Sequence, residues 1–167
     1  MTEIDLLGPG PSASASLAER LRGRRVGVVG NAYQLAPWAE FLAASDRQWW
    51  DKYPTAREFA GQRYSSHRIG GVLQLAGAQT NWNSGVLALA VAVHLGATLV
   101  RLHGFDLHGT HFFGPYSNGL ANTAPARREV HKQQFAQWAT RNPHVRVVNC
   151  TPGSALRCFE FDEQTAA

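Results

Sequence analysis

The sequence predicts an α/β fold built on one mostly parallel β-sheet. Short runs of buried-type residues alternate with helix-forming segments along the chain, which is the pattern of parallel strands joined by crossover helices. Small or polar residues directly follow five of the predicted strands, and in open α/β sheets the ligand crevice lies outside these strand ends. Together these observations indicate a single-domain, Rossmann-like architecture with helices on both faces of the sheet.

The predicted strands are short runs of apolar residues, several of them rich in β-branched side chains. In chain order they cover residues 4–7, 26–29, 41–44, 59–64, 68–75, 98–103 and 145–148. The patterns at 59–64 and 68–75 are the weakest of the set. The run at 98–103 is the strongest, because it combines β-branched residues with a following Gly-Phe-Asp turn.

Three helices are predicted between these strands. The first covers residues 13–21, with either Ser12 or Ser14 as its N-cap, since a hydroxyl there accepts a bond from a free backbone N–H. The second, 84–95, is rich in Ala, Val and Leu and is predicted to be buried. The third runs from Pro125 to about residue 141, because proline is favoured in a first helical turn. Residues 107–123 are predicted to form a loop.

The composition is that of one globular domain. The chain has 167 residues, 44% of them hydrophobic and 17% charged, so residues 1–160 are predicted to form the domain and 161–167 a short tail. Cys150 and Cys158 form no CxxC pair and are expected to be reduced. We see no secretion signal and no apolar run long enough for a bilayer, and therefore expect a cytoplasmic protein that does not enter the membrane.

The formal net charge is +4, with fourteen Arg against two Lys. This excess of basic residues indicates either an anionic partner or a coding bias toward Arg that is unrelated to binding. Because only Arg127 and Arg128 stand near the predicted site, nucleic acid remains a possible but disfavoured partner. The expected partner is a small nucleotide ligand, and the sequence leaves the oligomeric state unknown.

The first candidate motif is the loop that joins the first strand to the first helix. It consists of Gly8, Pro9, Gly10, Pro11 and Ser12. Glycines let a backbone approach a ligand closely, and a helix N-terminus offers free N–H groups. The loop therefore suits a phosphate or nucleotide, although it matches neither the Walker pattern nor GxGxxG, and an ordinary strand-to-helix turn is the alternative.

Two further strand ends carry polar residues that suit a nucleoside. Asn31 follows the second predicted strand and Asp46 the third; their side chains can bond a ribose or a base edge, and turn formation is the alternative.

Asn83, Ser84 and Gly85 open the second helix. N-capping explains part of that motif, and a second anion-binding helix end explains the rest.

Histidines provide the candidates for acid–base chemistry. The segment after the strand at 98–103 contains Gly104, Asp106, His108 and His111 and continues to Tyr116. Its carboxylate and imidazoles match no metal motif that we can name, so we favour acid–base or phosphate contacts over a metal site. We therefore predict no metal ligands among these residues and no certain cofactor, with a nucleotide or nucleotide sugar as the ligand and Mg²⁺ as a possible addition.

The third helix adds a possible polar face. Arg127, His131 and Gln134 are spaced to share one face, and so are Arg128 and His131. Either arginine can pair with a phosphate, and a solvated helix face is the alternative. Four histidines are expected to have structural roles only, namely His67, His94, His103 and His144.

The order of these motifs resembles the bacterial sialyltransferases and their relatives, the motility-accessory-factor glycosyltransferases and archaeal hydroxymethylpterin diphosphokinases. The likeness to these enzymes covers four short motifs. A likeness to small phage and prophage proteins of unassigned function runs nearly the full length, and its stretches are residues 31–39, 108–116 and 149–156. A phage origin implies the host cytoplasm as the location.

The resemblance implies that residues 8–12, Asn31 and Ser84-Gly85 contact a nucleotide donor. At the position of His108 the sialyltransferases typically have a tyrosine that steadies the donor phosphate, and Tyr116 lies near a second one. His131 is the nearest counterpart of their catalytic base. The diphosphokinase relatives imply instead a metal held by acidic residues, here Asp46 and Asp106.

These observations together predict a nucleotide- or nucleotide-sugar-dependent transferase, with glycosyl transfer as the leading reaction. His131 or His111 is then the general base and His108 a phosphate contact. The alternatives are a non-catalytic nucleotide-binding protein and a metal-dependent diphosphokinase-like enzyme.

Overall fold

A computed structural model of the chain describes residues 1–162. Eight strands form one sheet: β1 (Glu3–Leu7), β2 (Val26–Val29), β3 (Phe41–Ala43), β4 (Gln62–Ser65), β5 (Leu73–Gln74), β6 (Leu99–His103), β7 (Arg146–Asn149) and β8 (Glu160–Phe161). The helices are α1 (Ala15–Arg20), α2 (Arg47–Lys52), α3 (Ser84–His94) and α4 (Pro125–Arg141), and two 3₁₀ segments lie at Gly30–Gln34 and Pro54–Glu58.

The sheet is parallel throughout and reverses its direction of growth once. Its spatial order is β5-β4-β3-β2-β1-β6-β7-β8, so the chain builds outward from β1 to β5 and then returns to place β6 on the other side of β1. In β1, Leu6 pairs with Gly27 of β2 and with Leu102 of β6. The boundary between β1 and β6 is therefore the topological switch point, where open α/β sheets bind ligands.

The two faces of the sheet are covered by different helices. Leu6 points into a core cluster with α3 and α4, whereas Leu7 points into a second cluster with α1 and α2, because successive side chains of a strand alternate between faces. Helix α3 crosses β1, β2 and β3. Nearly all of its residues from Gly85 to Ala92 are buried, which explains why it is apolar on all sides rather than amphipathic.

The structure confirms the predicted fold class: one parallel sheet with helices on both faces. Strand β2 and the end of α4 have the predicted bounds. Ser14 is the N-cap of α1, since its side chain accepts a bond from the N–H of Leu17 at 3.0 Å. No helix in the part of the chain that the structure describes is long and apolar enough to cross a bilayer.

Several boundaries differ from the prediction. The weak strand predicted at 68–75 shrinks to β5, the strand predicted at 59–64 lies instead at Gln62–Ser65, and helix α2 was not predicted. Strand β8 includes Phe161, which the sequence assigned to the tail. Residues 163–167 of that tail lie outside the described residues.

Candidate functional site

A cavity of about 330 Å³ lies at the switch point, beside the carboxyl ends of β1 and β6. Its walls come from the loops after β1 and β6, the starts of α2 and α3, the first turns of α4 and the loop of residues 107–123. The residues that the sequence predicted for the site line this cavity except Pro11, Ser12 and Asn31, together with Arg127 and Gln134 of the alternative helix face. The cavity is of the size usual for small-molecule sites.

The loops after β1 and β6 are bonded directly to each other. The N–H of Gly8 donates to the carbonyl of His103 at 2.7 Å, and the N–H of Gly10 donates to the carbonyl of Gly104 at 2.9 Å. A Cβ at Gly10 would lie 2.5 Å from that same Gly104 oxygen and 2.1 Å from Oδ1 of Asp106. The glycines of this loop are therefore explained by the close approach of two backbones.

Ser12 and Asp106 complete this junction. Oδ1 of Asp106 accepts bonds from Oγ of Ser12 at 2.7 Å and from the N–H of Ser12 at 3.2 Å. The donors of Gly8, Gly10 and Ser12 are thus all used within the protein, and the two prolines have none. The loop therefore forms part of the cavity floor with its own N–H groups already bonded, and its contact with a nucleotide stays a prediction.

Asn31 lies beneath the cavity and acts through two aromatic residues. It is buried, and its Oδ1 accepts a bond from Nε1 of Trp49 at 2.9 Å and another from the hydroxyl of Tyr116 at 3.4 Å. Both rings line the cavity. Asn31 therefore orients the aromatic wall rather than lining the cavity itself.

Asp46 lies at the rim on the side of β3. Its Oδ1 accepts from the N–H of Gln48 at 3.0 Å, which makes Asp46 the N-cap of α2. The residue is exposed and lines the cavity. The turn-forming role and the proposed contact with a nucleoside are thus compatible, because a carboxylate has acceptor capacity beyond one cap bond.

The first turn of α3 contributes two backbone donors. The side chain of Asn83 caps the N–H of Val86 at 3.1 Å, and Oγ of Ser84 accepts from the N–H of Ser45 at 2.9 Å. No described residue accepts a bond from the backbone N–H of Ser84 or of Gly85, and both residues line the cavity. The start of α3 is therefore the part of the site with open N–H groups.

Helix α4 turns one cationic face toward the same cavity. Phe135 is buried against the start of α3, where a Cβ at Gly85 would come within 2.6 Å of its ring. His131 and Arg128 lie one and two turns before Phe135 and line the cavity, as residues four and seven apart share a helix face. Of the two predicted faces, the one with Arg128 and His131 enters the site. Gln134 instead lines a neighbouring groove, and its Oε1 accepts bonds from the backbone and side-chain amides of Asn83.

The side chain of Arg128 also holds the covering loop. Its guanidinium donates to the carbonyl of Gly109. Burial, and to a lesser extent the charge of Arg127, together lower the pKa of His131 to about 4. The imidazole is therefore neutral at pH 7.

The loop of residues 107–123 covers the cavity. His108 is exposed at its start, whereas His111 is half-buried and stacks on Phe113 with ring centroids 4.8 Å apart. Burial raises the pKa of Tyr116, and Tyr53 and Asp46 raise it further. The phenol thus stays protonated and donates to Asn31.

No group of three or more His, Cys, Asp or Glu that could hold a metal ion occurs among residues 1–162. Asp46 and Asp106 do line the same cavity, and Oδ1 of Asp106 is engaged by Ser12. Mg²⁺ typically uses one or two carboxylates together with substrate phosphates. These two carboxylates would therefore hold an ion only together with ligands from outside the protein.

The remaining histidines lie outside this cavity, as expected of His67, His94, His103 and His144. His103 is buried, with Nε2 2.7 Å from Oδ1 of Asp5 on the neighbouring strand. Cys150 is buried and Cys158 is exposed, and neither forms a disulfide.

The sequence missed part of the lining. Trp49, Phe105 and Phe135 line the cavity, and none of the three was among the predicted site residues. The signal for Trp49 was its position three residues after Asp46, inside a helix that the sequence did not reveal. Phe135 was detectable as the residue four places after His131.

Comparisons of the chain with protein-family models, with curated proteins and with solved structures found no match.

Proposed function

We propose that the protein is a nucleotide-dependent transferase, and that glycosyl transfer from a nucleotide sugar is the reaction its site supports best. The observation that carries this proposal is the composition of one cavity at the switch point. It combines open backbone donors and a guanidinium, an aromatic wall with a carboxylate, and histidines. These are the groups needed for a phosphate, a nucleoside and a proton transfer.

The phosphate end of the ligand would lie between α3 and α4. The N–H groups of Ser84 and Gly85 face the cavity from the positive end of an 11-residue helix. Arg128 lines the cavity from the facing helix. A guanidinium and helix-end donors together stabilise the charge that develops on a leaving phosphate.

The nucleoside end would lie toward α2. Trp49 and Tyr116 line that side, and Asn31 fixes their polar atoms. Asp46 lines the same side, where its carboxylate can accept bonds from ribose hydroxyls or from a base amino group. Aromatic faces with one well-placed acceptor suit a nucleoside, whereas a bare phosphate would need neither.

The reaction would transfer a sugar to an acceptor hydroxyl. A neutral imidazole in the cavity accepts the proton of that hydroxyl as the new bond forms. Two candidates, His131 and His111, line the cavity. The location that we propose is the cytoplasm, where cysteines outside disulfides, such as Cys150 and Cys158, stay reduced.

A thermal-shift screen tests the proposal directly. The full chain is heated with nucleoside mono- and diphosphates and with nucleotide sugars, each in Mg²⁺ and in EDTA. A ligand that binds only the native state raises the midpoint, and we expect at least one nucleotide to do so. The absence of a shift with every cytidine, uridine, guanosine and adenosine compound would overturn the proposal.

A matched pair of variants separates the phosphate contact from general charge. Arg128→Gln should weaken nucleotide binding about tenfold or more, because a charge-assisted bond contributes roughly 1.5–3 kcal/mol. Arg141→Gln removes the same charge from the exposed end of the same helix and should leave affinity unchanged.

A bound nucleotide sugar that is never consumed would favour the non-catalytic nucleotide-binding protein, and a requirement for Mg²⁺ would favour diphosphoryl transfer.

A further inference from the structure

The ring of His111 is held in one orientation by three neighbours. Its Nδ1 lies 3.3 Å from the carbonyl oxygen of Gly114. One face stacks on Phe113, with an angle of 5° between the ring planes. The ring of Tyr116 lies against it as well, at a centroid distance of 4.5 Å. An imidazole fixed in this way neither flips nor swings freely.

The contact with Gly114 also decides which nitrogen carries the proton. A carbonyl oxygen only accepts hydrogen bonds, so Nδ1 of His111 must be the donor. In the neutral ring the other nitrogen, Nε2, then has its lone pair free. His111 lines the cavity, and Nε2 is the one ring nitrogen that can accept a proton from a ligand bound there.

Neither of the other two candidate histidines has such an arrangement. His108 is exposed, and no described residue makes a hydrogen bond to its ring. The ring of His131 likewise has no hydrogen-bond partner among the described residues, and its pKa of about 4 makes it a weak base at neutral pH. His111 alone is both oriented and held in a defined tautomer.

We propose that Nε2 of His111 is the general base of this site, and that the Gly114 carbonyl positions it by keeping the ring proton on Nδ1. This inference rests on the proposed transfer reaction. The acceptor oxygen forms a bond to the anomeric carbon while the bond from that carbon to the donor phosphate oxygen breaks. The acceptor hydroxyl passes its proton to Nε2, and the nucleotide leaves with the bonding electron pair. His111 ends as an imidazolium and returns the proton to water.

The surroundings keep the base in its reactive form before the reaction. Burial lowers the pKa of His111 and the charge of Arg128 lowers it too, whereas the hydrogen bond to Gly114 opposes both. The ring is therefore neutral at pH 7 with Nε2 unprotonated. Once Nε2 has taken a proton, the bond from Nδ1–H to Gly114 is charge-assisted and stabilises the product.

The first test measures the tautomer without any ligand. Imidazole nitrogen NMR of the full chain at pH 7 should show Nδ1 protonated and Nε2 unprotonated for one histidine, whose signals disappear in His111→Gln. Gly114→Ala should convert this histidine to a mixture of tautomers. Gly114 has a φ of +85° and open space around its Cβ position, so alanine strains the backbone and moves the carbonyl without a clash.

Gly71→Ala is the matched control for that strain. Gly71 has a φ of +75°, also with open space around it, and lies outside the cavity. It should leave the His111 signals unchanged. An Nε2-protonated or evenly mixed ring in the native chain would overturn the proposal.

The second test separates binding from turnover with the nucleotide sugar found by the thermal screen. His111→Gln should lower kcat about 100-fold or more, the usual contribution of a general base, while the Kd changes less than about threefold. His144→Gln, at an exposed site away from the cavity, should change neither. Full turnover in His111→Gln would overturn the assignment of the base.

The proposed function and the proposed role of His111 can be overturned independently of each other. If no nucleotide binds, the proposed function falls, and His111 is then not the base of a glycosyl transfer whatever its tautomer. If a nucleotide sugar is consumed but the ring carries its proton on Nε2, the function survives and the role of His111 falls.

Discussion

Asp106 joins the ends of the neighbouring strands β1 and β6 through Ser12, 94 residues earlier in the chain. One carboxylate oxygen accepts both the hydroxyl at 2.7 Å and the backbone N–H at 3.2 Å. Ser12 follows β1 and Asp106 follows β6, so the bond spans the switch point itself. Its consequence is a cavity floor whose shape is set before any ligand arrives.

Removal of this bond should cost stability. Asp106→Ala leaves the Ser12 donors without their acceptor, and we expect a loss of about 1–3 kcal/mol in the free energy of unfolding. The measurement is urea denaturation at pH 7. Asp51→Ala is the control, because Asp51 is exposed and its ion pair with Arg57 is loose at 3.6 Å; it should change stability by less than about 0.5 kcal/mol. Equal losses in the two variants would contradict the assigned bond.

Gly10→Ala should damage both stability and the site. The new Cβ would lie 2.1 Å from Oδ1 of Asp106 and 2.5 Å from the backbone oxygen of Gly104, so one of the two loops must move. We expect a destabilisation of about 1–3 kcal/mol or more and the loss of nucleotide binding. Gly70→Ala meets nothing within 4 Å and should be nearly neutral; a Gly10→Ala protein as stable as this control would show that the loops are not in contact.

Asn31→Ala should free the aromatic wall of the cavity. The indole N–H of Trp49 loses its acceptor in a buried site, which costs about 1–3 kcal/mol. We expect faster hydrogen exchange at that indole N–H, measured by NMR, together with a lower unfolding midpoint. Gln133→Ala, at an exposed position of α4, should change neither, and an unchanged exchange rate in Asn31→Ala would exclude the bond.

The charge state of His131 should make stability fall in acid. Its pKa is 6.5 in an ordinary setting and about 4 in the native protein. Between these values the unfolded chain binds a proton that the native chain does not, so stability decreases as the pH falls from 6.5 toward 4. His131→Gln should reduce this loss, as followed by urea denaturation across the pH range.

The lowered pKa of His131 can also be checked directly by titration. Arg127→Gln should raise the pKa of His131, because the charge of Arg127 lowers it. An anion bound in the cavity should raise it as well. A native His131 that titrates near 6.5 would contradict the burial of its ring.

The strands could be predicted because they are short and buried. Val26 to Val29 is an apolar run bounded by Arg25 and Gly30, and parallel strands covered on both faces leave that signature. Helix α2 could not be found in this way, since its six residues include Trp49 and Trp50, which are poor helix formers held by packing. Strand β8 has only two residues, and its existence depends on pairing with β7.

The position of the site could be predicted from the sequence, but the hydrogen bonds within it could not. Strand ends converge on one edge of a parallel sheet, so residues after β1, β3 and β6 were bound to meet. The sequence did not show which N–H groups of these residues are already bonded within the protein. Whether the N–H of Gly10 meets a ligand or a carbonyl depends on a strand that begins about 90 residues later. The contact between His111 and Gly114 was equally hidden, because nothing in a loop sequence reveals a tautomer.

The position of β1 in the middle of the sheet has a consequence for how the protein is made. Glu3 pairs with Leu99, so the second neighbour of the first strand is synthesised only about 90 residues after that strand. Contacts of such sequence separation slow folding. Until then β1 has β2 on one side and an open edge on the other, and open edges invite pairing with other chains. The topology therefore requires that residues 3–7 be kept from pairing with other chains during synthesis.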